Sequence, residues 1–171
     1  MFIAIKDSKL IAIHEVEWQC RRNAKGLDKP SYWTWLESVT TEDENGVKTH
    51  DFSGEDYEIV ETEVDVQGFY QSGHITNTID GTSYHLSWDG TAVSTDDTAK
   101  AAWELAEEWK QIRTERTRLL SESDWTQGAD SPLTTQQKSD WAVYSTSLRT
   151  LPEDQSSVTS YSDINWPTKP S

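Results

Sequence analysis

Apolar and polar positions alternate along the first half of the chain, and this alternation predicts β-strands. Residues 2–5 and 10–18 form two such runs on either side of a polar turn at 7–9, which is typical of a β-hairpin. Residues 57–66 alternate in the same way, as expected of a strand with one face in water. The first half is therefore predicted to contain an antiparallel sheet.

Turn signals and strand formers extend this prediction along the first half. Residues 32–36 are rich in aromatic strand formers, whereas the polar stretch 21–30 is typical of a loop. Asn45-Gly46 and Asp80-Gly81 each predict a tight turn, because these pairs adopt positive φ angles at little cost, and the second turn predicts a hairpin over residues 75–88. Small polar residues at 91–97 predict a linker.

The second half follows a helical period instead. Apolar or long side chains recur at steps of three and four, which places them on one face of a helix. They are Leu105, Trp109, Ile112, Arg116 and Leu119. Asp96 and Asp97 precede this segment and can cap its N-terminus, where negative charge is favoured.

A second helix is predicted to begin after Thr134. Thr134 and Gln137 have the spacing of a capping box. Trp141, Tyr144 and Leu148 then recur on one face. Pro152 is expected to end the helix, because proline lacks the amide proton and disfavours helix at the preceding residue.

These two helices would form a hairpin that buries too little surface to be stable alone. It must therefore be stabilised by contacts with its own tail, with the N-terminal half or with a partner. The polar residues 153–165 fit either a flexible tail or an extended segment along the hairpin, with Trp166-Pro167 tucked back. We therefore predict an α+β protein: an N-terminal antiparallel β domain (residues 1–92) and a C-terminal α-helical hairpin with an extended tail (residues 96–171).

A series of short motifs runs through the second half. Arg113-x-x-Arg116-x-x-Leu119-Leu120 leads into Ser123-Asp124-Trp125-Thr126-Gln127, and these are followed by Asp130-Ser-Pro-Leu133, Trp141-x-x-Tyr144, Leu151-Pro152 and Trp166-Pro167. This order resembles the C-terminal module of bacteriophage tail fibre assembly proteins, also called phage tail assembly chaperones, over about residues 103–171. The resemblance implies a protein that binds a tail fibre or baseplate protein in the host cytoplasm and aids its folding or attachment. Retention in the virion tail, as a structural component of the tail, fibre or baseplate, is the alternative.

Charge and composition restrict the partners further. The net charge of −15 argues against nucleic acid and against an anionic membrane surface as direct partners. No run approaches the ~20 apolar residues of a membrane helix, and the N-terminus lacks the pattern of a signal peptide. Cys20 is the only cysteine, so no intrachain disulfide can form. Self-association of the chain is left open.

Residues that carry chemistry are sparse. The four histidines are scattered without metal-ligand spacing, and no glycine-rich phosphate loop or nucleophile motif is present. His74 and His85 could face each other across a hairpin, but ordinary strand positions explain them. We therefore predict no enzymatic activity, no cofactor and no metal site.

Aromatic residues suggest where partners bind. Exposed aromatic rings beside polar residues are typical anchors of protein interfaces, and several rings here lie in loop-like segments. The candidate partner-binding residues are Trp125, Thr126, Gln127, Trp141, Tyr144, Trp166 and Pro167. A third hypothesis is a glycan-binding module, in which Trp33, Trp35 and Trp88 on β-strands stack on sugar rings.

Overall fold

The computed structural model describes residues 1–79 and 81–171. It divides the chain into two compact units, Met1–Lys100 and Ala101–Ser171. The first unit contains the strands and three short helices, and the second is built from helices. The predicted α+β class, with an antiparallel β region followed by helices, is confirmed.

An antiparallel sheet of five strands forms the centre of the first unit. Its spatial order is β5-β1-β2-β8-β9. The strands are β1 (Phe2–Lys6), β2 (Lys9–His14), β5 (Glu58–Glu61), β8 (Leu86–Trp88) and β9 (Val93–Thr95). Two separate hairpins pair β3 (Thr40–Glu42) with β4 (Lys48–His50), and β6 (Ile75–Thr78) with β7 (Gly81–Tyr84).

The predicted hairpin at the start of the chain is confirmed, and its turn requires positive φ angles at two residues that are not glycine. Asp7 and Ser8 connect β1 to β2 with φ angles of 51° and 61°. Two consecutive positive φ angles give a turn whose twist matches that of the strands. The register then shifts between Ala4 and Ile5. This irregularity lets Leu10 and Ile13, three residues apart, both join the core on one face.

The sheet buries a different kind of side chain on each face. One face carries Ile3, Ile5, Leu10, Ile13 and Leu86, and Ile75 of β6 packs against them. The other carries Ala4 and Ala12, where Cys20 of helix α1 (Glu17–Ala24) packs against them. Burial raises the pKa of the Cys20 thiol to about 11, so it stays protonated at neutral pH.

Two strand predictions in the first unit are wrong because helix signals were overlooked. The run 10–18 ends as a strand at His14, and Glu17–Ala24 is α1. Residues 32–36 lie in helix α2 (Lys29–Ser38), and not in a strand. Asp28 caps α2 by accepting a hydrogen bond of 2.7 Å from the Ser31 amide, and Pro30 occupies its first turn. An aspartate followed by an early proline is a helix start, which outweighs the strand propensity of the aromatics.

Other expected boundaries also move. The run 57–66 is a strand only at Glu58–Glu61, and helix α3 (Val66–Gln71) begins at its end with Asp65 as N-cap. The hairpin expected over 75–88 ends at Tyr84, after which Leu86–Trp88 pairs in the main sheet; Asp80 lies outside the described residues. The segment expected as a linker contains β9, which pairs with β8. The Asn45-Gly46 turn is confirmed, with Gly46 at φ 77°.

The two helices predicted in the second half are both present. Helix α4 (Asp97–Ser123) begins at the end of the first unit, and Asp96 caps it through a hydrogen bond of 2.8 Å from the Ala99 amide. A 3-10 turn (Asp124–Gln127) follows it. Helix α5 (Thr135–Asp154) starts with the predicted capping box, in which Thr134 and Gln137 bond each other's backbone amides.

Pro152 does not end α5, contrary to the prediction. The helix continues through it to Asp154. In the last turn a proline removes only one helical hydrogen bond, and burial of the neighbouring Leu151 offsets that loss. Leu105 also departs from its expected place on the packed face of α4, because its side chain is 38% exposed.

The C-terminal tail returns along the hairpin, which is one of the two alternatives drawn from the sequence. Ile164 is buried with Ile112 and Leu151, and Trp166 contacts both apolar clusters of the unit. The side chain of Gln155 donates to the Asn165 carbonyl at 2.9 Å and accepts from the Asn165 amide at 2.8 Å. The tail is therefore held by paired hydrogen bonds as well as by apolar contact.

Two findings bear on ligands and membranes. Among the described residues no group of His, Cys, Asp and Glu side chains is arranged to hold a metal ion. No helix among the described residues is both long enough and apolar enough to cross a bilayer. His74 instead contacts Ser72 and Asp97 through its two ring nitrogens, each at 2.9 Å.

Independent folding of the predicted segments 1–92 and 96–171 stays a prediction, and limited proteolysis tests it. We expect proteinase K to cleave first at residues 91–92, because they are exposed and precede the paired strand β9. The products, read by intact mass spectrometry, should be two persistent fragments. Early cleavage within Trp109–Leu120, with residues 91–95 uncut, would contradict the two-segment organisation.

Candidate protein-binding surface

The motif Ser123-Asp124-Trp125-Thr126-Gln127 forms a rigid turn at the end of α4. Ser123 and Thr126 are fully buried there. The Ser123 hydroxyl donates to the Leu120 carbonyl at 2.9 Å, and the Thr126 hydroxyl donates to the Ser123 carbonyl at 2.6 Å. These bonds satisfy backbone oxygens that the helix end leaves without partners. The polar residues of the motif thus fix the shape of the turn.

This turn directs Trp125 outwards. Its side chain is 55% exposed, the highest value for any tryptophan among the described residues. Its ring centroid lies 6.4 Å from that of the buried Trp141, with the two planes tilted by 55°. Gln127 is also exposed, and its amide donates to the Thr126 hydroxyl at 3.1 Å. Trp125 and Gln127 therefore present one apolar and one polar group from a fixed backbone.

Three of the predicted binding residues have their side chains inside the unit. Thr126, Trp141 and Tyr144 are 0%, 5% and 4% exposed. The Trp141 and Tyr144 rings meet edge to face at 5.6 Å, a favourable geometry for aromatic pairs. Burial raises the pKa of the Tyr144 hydroxyl above its usual value. These side chains support the turn from beneath, where Leu119, Leu120 and Leu133 also pack.

Trp166 and Pro167, the last two predicted residues, are half-buried. The Trp166 ring packs across both clusters and lies 5.8 Å from the Tyr161 ring. Three residues further along the tail, the Lys169 ammonium lies 5.9 Å above the Trp141 ring. The tail thus covers part of the ring that Trp125 approaches, so the structure brings Trp125, Tyr144 and Trp166 together around Trp141.

Charged side chains border this surface. Arg118 pairs with Glu115 and with Glu122, and Glu122 also lies 3.9 Å from Lys169. The pairing holds the pKa of the Glu115 carboxyl below its usual value. These ion pairs are exposed and contribute little to stability, but they fix a polar border around an apolar centre. That arrangement is typical of protein interfaces.

Sequence reasoning missed the residues that hold the tail. Gln155, Lys169 and Glu108, whose carboxylate accepts the Tyr161 amide, were not singled out. Gln155 and Asn165 carry no periodic signal, because their pairing depends on a reversal of the chain between them. The match of Trp166 to a family motif was the signal that this tail has a fixed place.

The family model of the phage tail assembly chaperone protein matches residues 109–171. It begins at Trp109 in α4 and includes the turn, α5 and the returning tail. The resemblance drawn from the motifs is thereby confirmed, and it indicates a role in phage tail assembly. Neither a curated protein nor a solved structure is significantly similar to the chain.

Substitution of Trp125 and Trp166 should affect stability very differently. Trp166→Ala removes the ring that joins both clusters, and large-to-small core changes of this type cost about 3–5 kcal/mol. Trp125→Ala removes an exposed ring and should change stability by less than about 1 kcal/mol. Urea unfolding followed by far-UV circular dichroism measures both. Equal losses in the two variants would show that Trp125 is a core residue.

Proposed function

We propose that the protein is a phage tail fibre assembly protein that binds a tail or fibre protein in the host cell and aids its folding or attachment. The observation that carries the proposal is the exposed Trp125, held by a rigid motif inside the segment that matches the tail assembly chaperone family. The ring contacts Trp141 on one side, but more than half of it is exposed to water. It is suited to enter a pocket on a partner.

The proposed binding surface consists of Trp125 and Gln127, together with Trp166-Pro167 of the returning tail. Trp141, Tyr144 and Thr126 act through these residues by holding the turn in place. Tryptophans at the centre of interfaces commonly contribute about 2 kcal/mol or more to binding, which is ~30-fold in affinity. A pre-ordered turn increases this gain, because little conformational entropy is lost on binding.

The first experiment measures binding to one candidate partner, the tail fibre protein of the same phage. The tail fibre protein of the same phage is co-expressed with the full chain, and their affinity is measured by biolayer interferometry. Trp125→Ala should weaken binding by at least ~10-fold, with the unfolding transition unchanged. Val143→Ala is the matched control, because Val143 is 64% exposed on α5 and lies outside the proposed surface. Wild-type affinity in the Trp125 variant would remove the surface from the proposal.

Assembly proteins and structural virion components are separated by a second measurement. We expect the protein to be missing from purified virions and present in infected cells, because a chaperone dissociates once the fibre is mounted. Quantitative mass spectrometry of both samples gives the copy number per particle. A stoichiometric number of copies in the virion would instead establish the structural role.

A further inference from the structure

The first unit contains an apolar pocket of about 290 Å³ between α1, α2 and the segment after β4. Its apolar walls are the side chains of Val16, Trp18, Tyr32, Leu36 and Phe52, and the polar side chains of Glu17, Arg21 and His50 complete the lining. This volume is at the lower end of the range for ligand pockets. It is sufficient for one large side chain.

A buried charge cluster holds two of the lining residues, Arg21 and Phe52, in place. Glu55, whose side chain is 4% exposed, pairs with Arg21 and Lys25 and accepts a hydrogen bond from Tyr57. The Arg21 guanidinium lies 3.8 Å from the Phe52 ring centroid, and Lys25 lies 4.2 Å from that of Trp35. Burial and the nearby carboxylate raise the pKa of Tyr57, so it remains a donor. The walls are thus fixed before any ligand arrives.

Polar groups at the pocket are already engaged. Arg21 donates to Glu17 as well as to Glu55, and the His50 ring nitrogen lies 2.7 Å from the Thr40 hydroxyl. A sugar needs several hydrogen bonds directed at its hydroxyls, and these groups have few to offer. A ligand can therefore gain mainly apolar contact with the walls, which favours a hydrophobic side chain as the occupant.

Two cations stand beside the pocket without acidic partners. The Arg22 guanidinium lies 5.8 Å and the Lys29 ammonium 5.9 Å from the Trp18 ring. Neither forms an ion pair within the described residues, and the Arg22 Nε–H is buried there without an acceptor. Glu17, the acidic residue of the lining, already pairs with Arg21, so Arg22 and Lys29 add positive charge beside the Trp18 ring. This charge would repel a basic segment and attract an acidic one.

We propose that this pocket is a second docking site, which holds a large apolar side chain of an acidic segment in a partner protein. The apolar side chain enters between Trp18, Tyr32 and Phe52. Carboxylates on either side of it pair with Arg22 and Lys29. Trp33, which is 40% exposed and lies 5.2 Å from Trp18, extends the apolar contact at the mouth. The site belongs to the first unit and does not depend on the surface around Trp125.

Selection from a random 15-residue peptide library against the full chain tests the proposal. The enriched peptides should share a Trp, Phe or Leu flanked by Asp or Glu. Their affinities are then measured by fluorescence anisotropy at two salt concentrations, and binding should weaken with salt. Enrichment of basic or uncharged peptides, or no enrichment, overturns the proposal. So does binding to an array of glycans in place of peptides, which would support the glycan hypothesis.

Reversing the charges of Arg22 and Lys29 tests whether the peptide binds at this pocket. The double variant R22E/K29E should weaken binding of the selected peptide at least ~10-fold. K9E/K48E makes the same change of charge at exposed lysines on β2 and β4 and should bind as the wild type does. A Val16→Trp variant, which places a ring over the mouth without altering charge, should also lower the affinity. Thermal unfolding confirms that each variant is folded. Equal effects of the two double variants, or unchanged binding in Val16→Trp, would place the peptide elsewhere.

Discussion

The packing of Trp166 is the interaction on which the helical unit depends. Helices α4 and α5 form two small apolar clusters, one around Ile112 and Leu151 and one around Trp141 and Leu148. Trp166 contacts both and so turns them into one core. A helical hairpin of this size buries too little surface without a third element. The tail provides that element, and the hydrogen bonds between Gln155 and Asn165 hold it in place.

Fixing the tail has a consequence for Trp125. Trp166 and Lys169 cover part of the Trp141 environment, and the Trp125 ring, which approaches Trp141 from the 3-10 turn, stays 55% exposed. The hydroxyls of Ser123 and Thr126 bond the turn's own backbone and prevent it from folding Trp125 inwards. The structure therefore explains why two tryptophans outside the helical stripes have opposite positions. One completes the core and the other remains available to a partner.

The first unit contains a buried charged residue, Glu55, which needs partners inside the protein. Glu55 alone would be costly to bury, but Arg21, Lys25 and Tyr57 surround it. The same cations lie over Phe52 and Trp35, so aromatic side chains complete the network. This arrangement joins α1, α2 and the loop after β4. It leaves a pocket with apolar walls beside the cations Arg22 and Lys29, in a chain whose net charge is −15.

Periodicity and local motifs determined the strong elements. The β1–β2 hairpin, the Asn45-Gly46 turn, the Asp96 cap and the capping box at Thr134 could all be predicted, because each depends on residues a few positions apart. Helix α2 could not be predicted from propensity, since Tyr32 and the two tryptophans favour a strand. The Asp28 cap, Pro30 and the contacts of Tyr32 with its neighbours decided the matter in favour of helix.

At the candidate surface too, some features follow from the local sequence and others only from tertiary contacts. The sequence alone identified Trp125, Trp141 and Trp166 as a related set, through motif order and through their places in or outside the helical stripes. It could not tell which ring is exposed, because exposure depends on what the rest of the chain covers. The return of the tail over Trp141 placed Trp166 in the core and left Trp125 in solvent. That outcome depends on contacts between residues far apart in the chain, which only the tertiary structure brings together.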